Sequence, residues 1–161
     1  MNETMLKIDN NMMQHPVLVT SGATTSLAQL CDKYLCVYFY PRANTPGCAQ
    51  ESKDFSELYE KFKAAGCELV GISADSLKKQ QNFKSKYDMP FELVADSEEI
   101  LCRAFDVIKE KNMYGKKFMG IERSTFILSP TGDVVLAWRK VKVKGHAEDV
   151  LAQLRQLVED N

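Results

Sequence analysis

The octapeptide Pro41-Arg42-Ala43-Asn44-Thr45-Pro46-Gly47-Cys48 holds the side chain with the clearest chemical potential in this chain. It follows the apolar run Tyr34 to Tyr40 and precedes a helical pattern. Cys48 therefore falls in the first turn of a helix, just beyond the end of a buried strand. Thr45 suits the N-cap, Pro46 suits the first helical position, and Cys48 occupies the third. Unpaired backbone N–H groups and the positive end of the helix dipole stabilise an anion there. A thiol so placed ionises more readily than an ordinary cysteine, whose pKa is about 8.5, and the thiolate is the nucleophile. The chemistry indicated is that of a reactive-cysteine enzyme.

The other candidate groups are sparse. Cysteine occurs five times, at Cys31, Cys36, Cys48, Cys67 and Cys102, and no C-x-x-C pair exists. The odd number speaks against a disulfide scaffold, and the spacing against a zinc knuckle or a dithiol oxidoreductase. Only His15 and His146 are available as further metal ligands, so no metal site is expected. Lys140, Lys142 and Lys144 alternate with Val141 and Val143, which reads as a solvated strand edge guarded by lysines. His146, beside Gly145, reads as a helix-start residue.

Composition sets wider bounds. The 161 residues fit a single domain, with residues 1–14 as a polar, partly frayed lead-in. Hydrophobic residues make up 45% and charged residues 27%, which is ordinary for a globular protein. The net charge of −1 gives no footing for nucleic acid or an anionic membrane surface as partner. The longest strictly apolar stretch, Tyr34–Tyr40, is far short of the about 20 residues a membrane span needs. Met1-Asn2-Glu3-Thr4 shows neither a charged leader nor an apolar core, so a cytoplasmic protein is expected.

The elements that must position Cys48 follow from periodicity. Val17–Thr20 and Thr25–Leu27 flank Ser21-Gly22-Ala23 as an N-terminal β-hairpin, and Ala28–Lys33 is a short helical turn. Leu35–Tyr40 is apolar on both faces and should be a central strand. Cys48–Ala65 is the longest helix, with Cys48, Phe55, Leu58, Tyr59, Phe62 and Ala65 in one stripe and Gly66 as its stop. Glu68–Ala74 is a strand, Leu77–Tyr87 a polar helix, Glu92–Ala95 a short strand and Glu98–Phe105 a short helix. Residues 106–120 read as a basic, glycine-containing loop. Strands Arg123–Leu128 and Val134–Trp138 are joined through Ser129-Pro130-Thr131-Gly132-Asp133, and His146–Glu159 is a final amphipathic helix. Early strands alternating with helices should be parallel, and the late hairpin antiparallel. The result is an α/β, thioredoxin-like three-layer fold, a central mixed β-sheet with helices on both faces.

The segment Val37–Cys48 resembles the active-site strand and loop of the peroxiredoxins, in particular the bacterioferritin comigratory protein (peroxiredoxin Q) group. The family pattern is Pro, three residues, Thr or Ser, two residues, Cys; Pro41, Thr45 and Cys48 meet it. The likeness continues through Gly71–Asp75, Phe118–Phe126 and Val141–His146 and covers roughly residues 25–158. It implies reduction of hydrogen peroxide and organic hydroperoxides by Cys48, through a sulfenic acid, with no metal, haem or flavin. It implies that Thr45 places a hydroxyl beside the sulfur, that Arg123 steadies the thiolate and the peroxide oxygens, and that Pro41 shapes the loop and shields the site from water. Glu51, one turn beyond Cys48, either orients Arg123 by a bidentate pair or is an acid favoured at a helix start. Tyr40 either lines the pocket or, as a strand aromatic, belongs to the core.

Many members of that group resolve the sulfenic acid with a second cysteine five residues after the first, a position held here by Lys53. Others place it in the following helix, Leu77–Tyr87, which has none. Cys102, Cys31 and Cys67 remain as weak candidates. A one-cysteine cycle is therefore expected, closed by an external thiol such as a thioredoxin-like protein, a glutaredoxin or glutathione, in a monomer or weak dimer. The competing reading is a non-catalytic thioredoxin-like module that senses oxidant or binds a partner.

Overall fold

The apolar run expected to be central is central, and the site is assembled around its C-terminal end. The computed structural model describes residues 6–160; the tetrapeptide Met1-Asn2-Glu3-Thr4, read above for a leader, lies outside them. In chain order the elements begin with α1 (Asn10–Gln14), β1 (Val17–Leu18), β2 (Thr24–Thr25) and α2 (Leu27–Leu30). There follow β3 (Tyr34–Phe39), α3 (Pro46–Ala64), β4 (Cys67–Ser73), α4 (Leu77–Lys86), β5 (Leu93–Ala95) and α5 (Ile100–Ala104). The C-terminal part holds β6 (Ile108–Met113), β7 (Lys116–Ile121), β8 (Ser124–Leu128), β9 (Val134–Trp138) and α6 (His146–Glu159).

Five strands form one mixed sheet in the order β5-β4-β3-β8-β9. Strand β3 runs parallel to β4 and antiparallel to β8, β4 runs parallel to β5, and β8 pairs antiparallel with β9. Parallel strands need crossovers, which α3 and α4 supply. Because successive side chains of β3 face opposite ways, it feeds two separate cores. Leu35, Val37 and Phe39 pack with Met13, Leu27, Leu101, Cys102 and Phe126. Cys36 and Tyr38, with Tyr40 just beyond the strand, pack with Cys48, Phe55, Phe62, Phe83, Val150 and Leu154. Helices α3, α4 and α6 thus cover one face, and α1, α2 and α5 the other. The β1–β2 hairpin lies along the β5 edge, with Val19 bridging Val94 and the Thr20 N–H donating to the Leu93 carbonyl at 3.1 Å. That contact covers an edge strand that would otherwise present unpaired backbone groups.

Four segments depart from expectation. Within the lead-in, the part described is ordered: Asp9 caps α1 by accepting from the Met12 N–H, and Ile8 and Met13 are buried. Leu27 does not extend β2, because the Ser26 hydroxyl accepts from the Gln29 N–H and starts α2 there. The basic segment expected as a loop is a hairpin, β6 paired antiparallel with β7. Its two-residue turn has φ of 53° at Tyr114 and 78° at Gly115. Such turns ordinarily carry Asn-Gly, so a tyrosine in first place hid the signal. Finally, Lys140–Lys144 is not a strand edge: β9 ends at Trp138, Lys140 has φ 52°, and the Val141 N–H donates to the Arg123 carbonyl at 3.0 Å.

Candidate active site

Beyond β3 the chain is pulled across the sheet end by several tethers. The Tyr40 N–H continues the ladder to the Ile72 carbonyl. The Ala43 N–H then donates to Asp75 Oδ2 at 2.7 Å, and the Ser73 hydroxyl donates to the same oxygen at 2.6 Å. Asn44 adopts φ 64°, and its Oδ1 accepts from Lys86 Nζ and the Tyr87 hydroxyl, both at 3.3 Å. Sequence reasoning missed Asp75 as an anchor. The only signal was its place after a strand whose end lies beside the end of β3.

Helix α3 begins as the octapeptide predicts. Thr45 is in the extended N-cap conformation, Pro46 is the first helical residue and Cys48 the third. The Thr45 side chain does not cap, however: its hydroxyl donates to the Arg42 carbonyl at 3.0 Å. Pro41 is exposed at the start of the loop. Gly47 is a second residue whose role sequence reasoning passed over. A Cβ there would lie 3.3 Å from Arg123 Nη2, so the absent side chain leaves room for the guanidinium.

Arg123, in the connection between β7 and β8, reaches this helix start. Its Nη2 donates to Cys48 Sγ at 3.3 Å and its Nη1 to Glu51 Oε1 at 2.6 Å. The pairing with Glu51 is therefore through one oxygen, not the bidentate contact anticipated, because the second terminal nitrogen is committed to sulfur. Glu51 is 1% exposed, and its Oε2 has no hydrogen-bond partner among the described residues. Burial pushes the Glu51 carboxyl up to about 7, against the pull of the Arg123 cation. Burial also weighs against the Arg123 charge, but Glu51 and Cys48 outweigh it and hold the guanidinium above its ordinary value. Glu51 is thus a buried ion-pair partner and not merely an acid at a helix start. Cys48 itself is 1% exposed, although Pro46 and Gly47 just before it are exposed.

Tyr40 belongs to the core behind the sulfur: it is fully buried, and its hydroxyl donates to Gln80 Oε1 at 2.6 Å. His146 opens α6 with its Nε2 2.8 Å from Thr125 Oγ1, and burial holds its pKa down at about 4.

The remaining thiols are arranged differently. Cys36 and Cys67 are buried toward the N-terminal end of β3, where Tyr34 pairs with Cys67 and Cys36 with Leu69. Burial raises both well above the ordinary thiol range. Cys31 is half-buried and raised to about 11 by burial and by Asp32. Cys102 is raised by burial and then by Asp96, and it packs in the core on the opposite face of β3 from Cys48. No cluster of three metal-ligating side chains occurs among the described residues. No helix among the described residues is long and apolar enough to cross a membrane.

Comparison with known proteins adds an independent finding. Residues 9–137 match the AhpC/TSA family. The chain is 50% identical over 155 residues to peroxiredoxin Bcp of Xanthomonas campestris pv. campestris, covering 96% of this chain and 97% of that one. It is 44% identical over 138 residues to peroxiredoxin Bcp of Bacillus subtilis, covering 86% and 88%. A solved structure of the X. campestris bacterioferritin comigratory protein, determined for its alkyl peroxide reduction activity, superposes with a TM-score of 0.90 at 49% identity, covering 97% of this chain and 99% of the other. The thioredoxin-like fold inferred from the order of elements is thereby established.

Proposed function

The chain belongs to the AhpC/TSA family and is a peroxiredoxin, and from that premise we propose that it reduces hydrogen peroxide and organic hydroperoxides through Cys48 in a one-cysteine cycle. The observation that carries this reading is the 3.3 Å contact between Arg123 Nη2 and Cys48 Sγ at the start of α3. The thiolate attacks one peroxide oxygen in line with the O–O bond. An S–O bond forms, the O–O bond breaks, and hydroxide or alkoxide leaves and takes up a proton. Negative charge moves from sulfur onto the leaving oxygen during this step, so donors fixed in advance lower the barrier. Arg123 is one such donor. The first-turn N–H groups of Gly47 and Cys48 are others, since a helix start leaves them without intrahelical partners and Thr45 does not take them. Pro41 and Thr45 shape the loop through which the peroxide enters.

The product on Cys48 is a sulfenic acid. An external thiol attacks its sulfur, water leaves, and a mixed disulfide forms. A second thiol then releases Cys48 and carries the oxidation away. A thioredoxin-like protein, a glutaredoxin or glutathione would serve. Lys53 in α3 and the absence of cysteine from α4 support an external partner. So does the placement of Cys102, which packs in the core on the opposite face of β3 from Cys48.

The test is intact mass after one equivalent of peroxide, for the wild type and for variants lacking Cys31, Cys67 or Cys102. Gain of oxygen at Cys48 in every variant is expected. A rapid loss of two hydrogens that depends on one of those cysteines would overturn the one-cysteine cycle. Peroxide consumption that stops after one turnover whatever thiol is supplied would indicate an oxidant sensor instead.

A further inference from the structure

Among the described residues six large apolar side chains are exposed, and four of them, Met113, Tyr114, Phe118 and Met119, belong to the β6–β7 hairpin, at 43% to 99% exposure. The other two, Leu18 and Val158, lie far apart in the chain, as scattered exposed apolar residues ordinarily do. A two-stranded hairpin is marginal by itself, and this one is held at its base. Ile121 is buried there, and the Glu122 N–H donates to the Val107 carbonyl at 2.7 Å. Beyond the base, residues 112–119 are all exposed. The register sets Phe118 opposite Lys111 and Met113 opposite Lys116, so these four share one face, and no acid stands on it. A Cβ on Gly120 would lie 3.4 Å from Phe118 Cε2, so the ring leans over bare backbone toward the base. Lys116 and Lys117 make no ion pair among the described residues. The hairpin is thus apolar and cationic, in a chain whose net charge is −1. Its second strand leads directly into Arg123, whose Nη2 contacts Cys48 Sγ at 3.3 Å. Phe118 precedes Arg123 by five residues, so their Cα atoms lie within about 18 Å of each other even at full extension. A transient protein encounter covers about 600 Å² on each partner, a patch roughly 28 Å across. The hairpin face and the guanidinium that touches the sulfur fit within one such footprint.

We propose that the hairpin face carrying Met113, Lys116 and Phe118 docks the external reductant, and that this reductant is a dithiol protein whose thiol is set among apolar and carboxylate side chains. The inference rests on the one-cysteine cycle proposed above and selects among its reductants. Glutathione is anionic but has no apolar side chain to cover Phe118 and Met113. A protein surface supplies both kinds of contact. Its apolar groups give the hold, and carboxylates opposite the lysines speed the encounter and set its orientation. An anionic membrane would also accept an apolar, cationic hairpin. A thiol protein is favoured because the cycle consumes thiols and the hairpin is joined to the residue that touches the reacting sulfur. In the docked pair the partner's thiolate attacks the sulfur of the Cys48 sulfenic acid. An S–S bond forms, the S–O bond breaks, and hydroxide leaves and takes up a proton as water. The partner's second thiol then attacks its own sulfur in the mixed disulfide. Cys48 leaves as a thiolate, and the partner departs as a disulfide.

The test separates the two half-reactions by stopped flow. The protein is first oxidised with one equivalent of hydrogen peroxide. The Cys48 sulfenic acid is then reduced either by a thioredoxin of net negative charge or by glutathione. Wild type, Phe118→Ser, Met113→Ser and Lys116→Glu are compared. With thioredoxin the second-order rate constant should fall about 5- to 30-fold in the two Ser variants, as for removal of an interface anchor. In Lys116→Glu it should fall about 3- to 10-fold at low salt, and the decline of the wild-type rate with added salt should flatten. Oxidation by peroxide, and reduction of the Ser variants by glutathione, should stay within about twofold of the wild type, because these are surface substitutions. A thioredoxin rate unmoved in both Ser variants overturns the proposal. So does an equal loss with glutathione, or a wild type that glutathione reduces and thioredoxin does not. Hairpin-dependent binding to phosphatidylglycerol vesicles, or hairpin-dependent dimerisation, with the thioredoxin rate unmoved, gives the face to a membrane or a second copy and overturns it likewise. A Cys48 that forms no sulfenic acid with peroxide refutes the peroxidase reading and this inference with it, and is seen before any reductant is added.

Discussion

Strand β3 has thiols toward both ends, and the two ends have opposite chemistry. At the C-terminal end the chain leaves the sheet, turns through Asn44 and presents Cys48 at a helix start with Arg123 against its sulfur. At the N-terminal end Cys36 and Cys67 lie in the core, with Cys31 half-buried nearby. Burial raises all three, and anionic neighbours such as Glu68 and Asp32 raise them further. Cys48 and Cys67 are both buried, at 1% and 0% exposure, so accessibility does not separate the two groups. What separates them is the sign of the neighbouring charge and the orientation of backbone dipoles. A buried thiol without a cation behaves as a small apolar side chain, and the proposed cycle takes the one beside a guanidinium at a helix start as its nucleophile.

Removing the cation should have the largest effect. Arg123→Met is expected to lower the second-order rate constant with hydrogen peroxide about 10²- to 10³-fold, measured by stopped flow at neutral pH. A loss of less than about threefold would mean that the helix start alone activates Cys48.

Glu51→Gln tests the partner of that cation. With the folded-state carboxyl near 7 and an ordinary value of about 4.3, the folded protein binds the extra proton. Glu51 therefore contributes stability that is fully present below about pH 4.3 and lost as pH rises through 7. Urea midpoints at pH 5 and pH 8 should show the Gln variant gaining on the wild type at the higher pH. A constant difference would place the proton elsewhere. A drop of about tenfold in the peroxide rate should accompany it, because the guanidinium loses its fixed orientation.

At the other end of β3 only packing should respond. Cys67→Ala is expected to cost about 1 kcal/mol in chemical denaturation with the peroxide rate unchanged within twofold. A large loss of rate there would join the two ends functionally. The smallest effect is expected for Cys31→Ser, half-buried and outside any strand, with both stability and rate close to the wild type.

The two ends were not equally legible before the structure. Cys48 could be placed because the octapeptide is a local signal: cap, proline and thiol act within one turn. Arg123 lies 75 residues away and was found through its motif, since no local rule brings a strand-start arginine to a helix start. Glu51 was ambiguous because its burial depends on packing around α3 and not on helix phase alone. Asp75 was overlooked as an anchor because its partners, Ala43 and Ser73, meet only when β4 pairs with β3. The β6–β7 hairpin was taken for a loop because its exposed strands lack apolar alternation and its turn uses Tyr114-Gly115. The lysine-valine alternation after Trp138 misled in the opposite direction, where a hydrogen bond to the Arg123 carbonyl draws Val141 out of the sheet line.

The most direct measurement is site-resolved. The protein is treated with one equivalent of hydrogen peroxide in the presence of a sulfenic acid trap, and each cysteine-containing peptide is weighed. The trap should be found on Cys48, with Cys31, Cys36, Cys67 and Cys102 unmodified, and in Arg123→Met the labelling should slow at Cys48 without moving to another site. Label on Cys31 or Cys67 while Cys48 stays reduced would contradict the account.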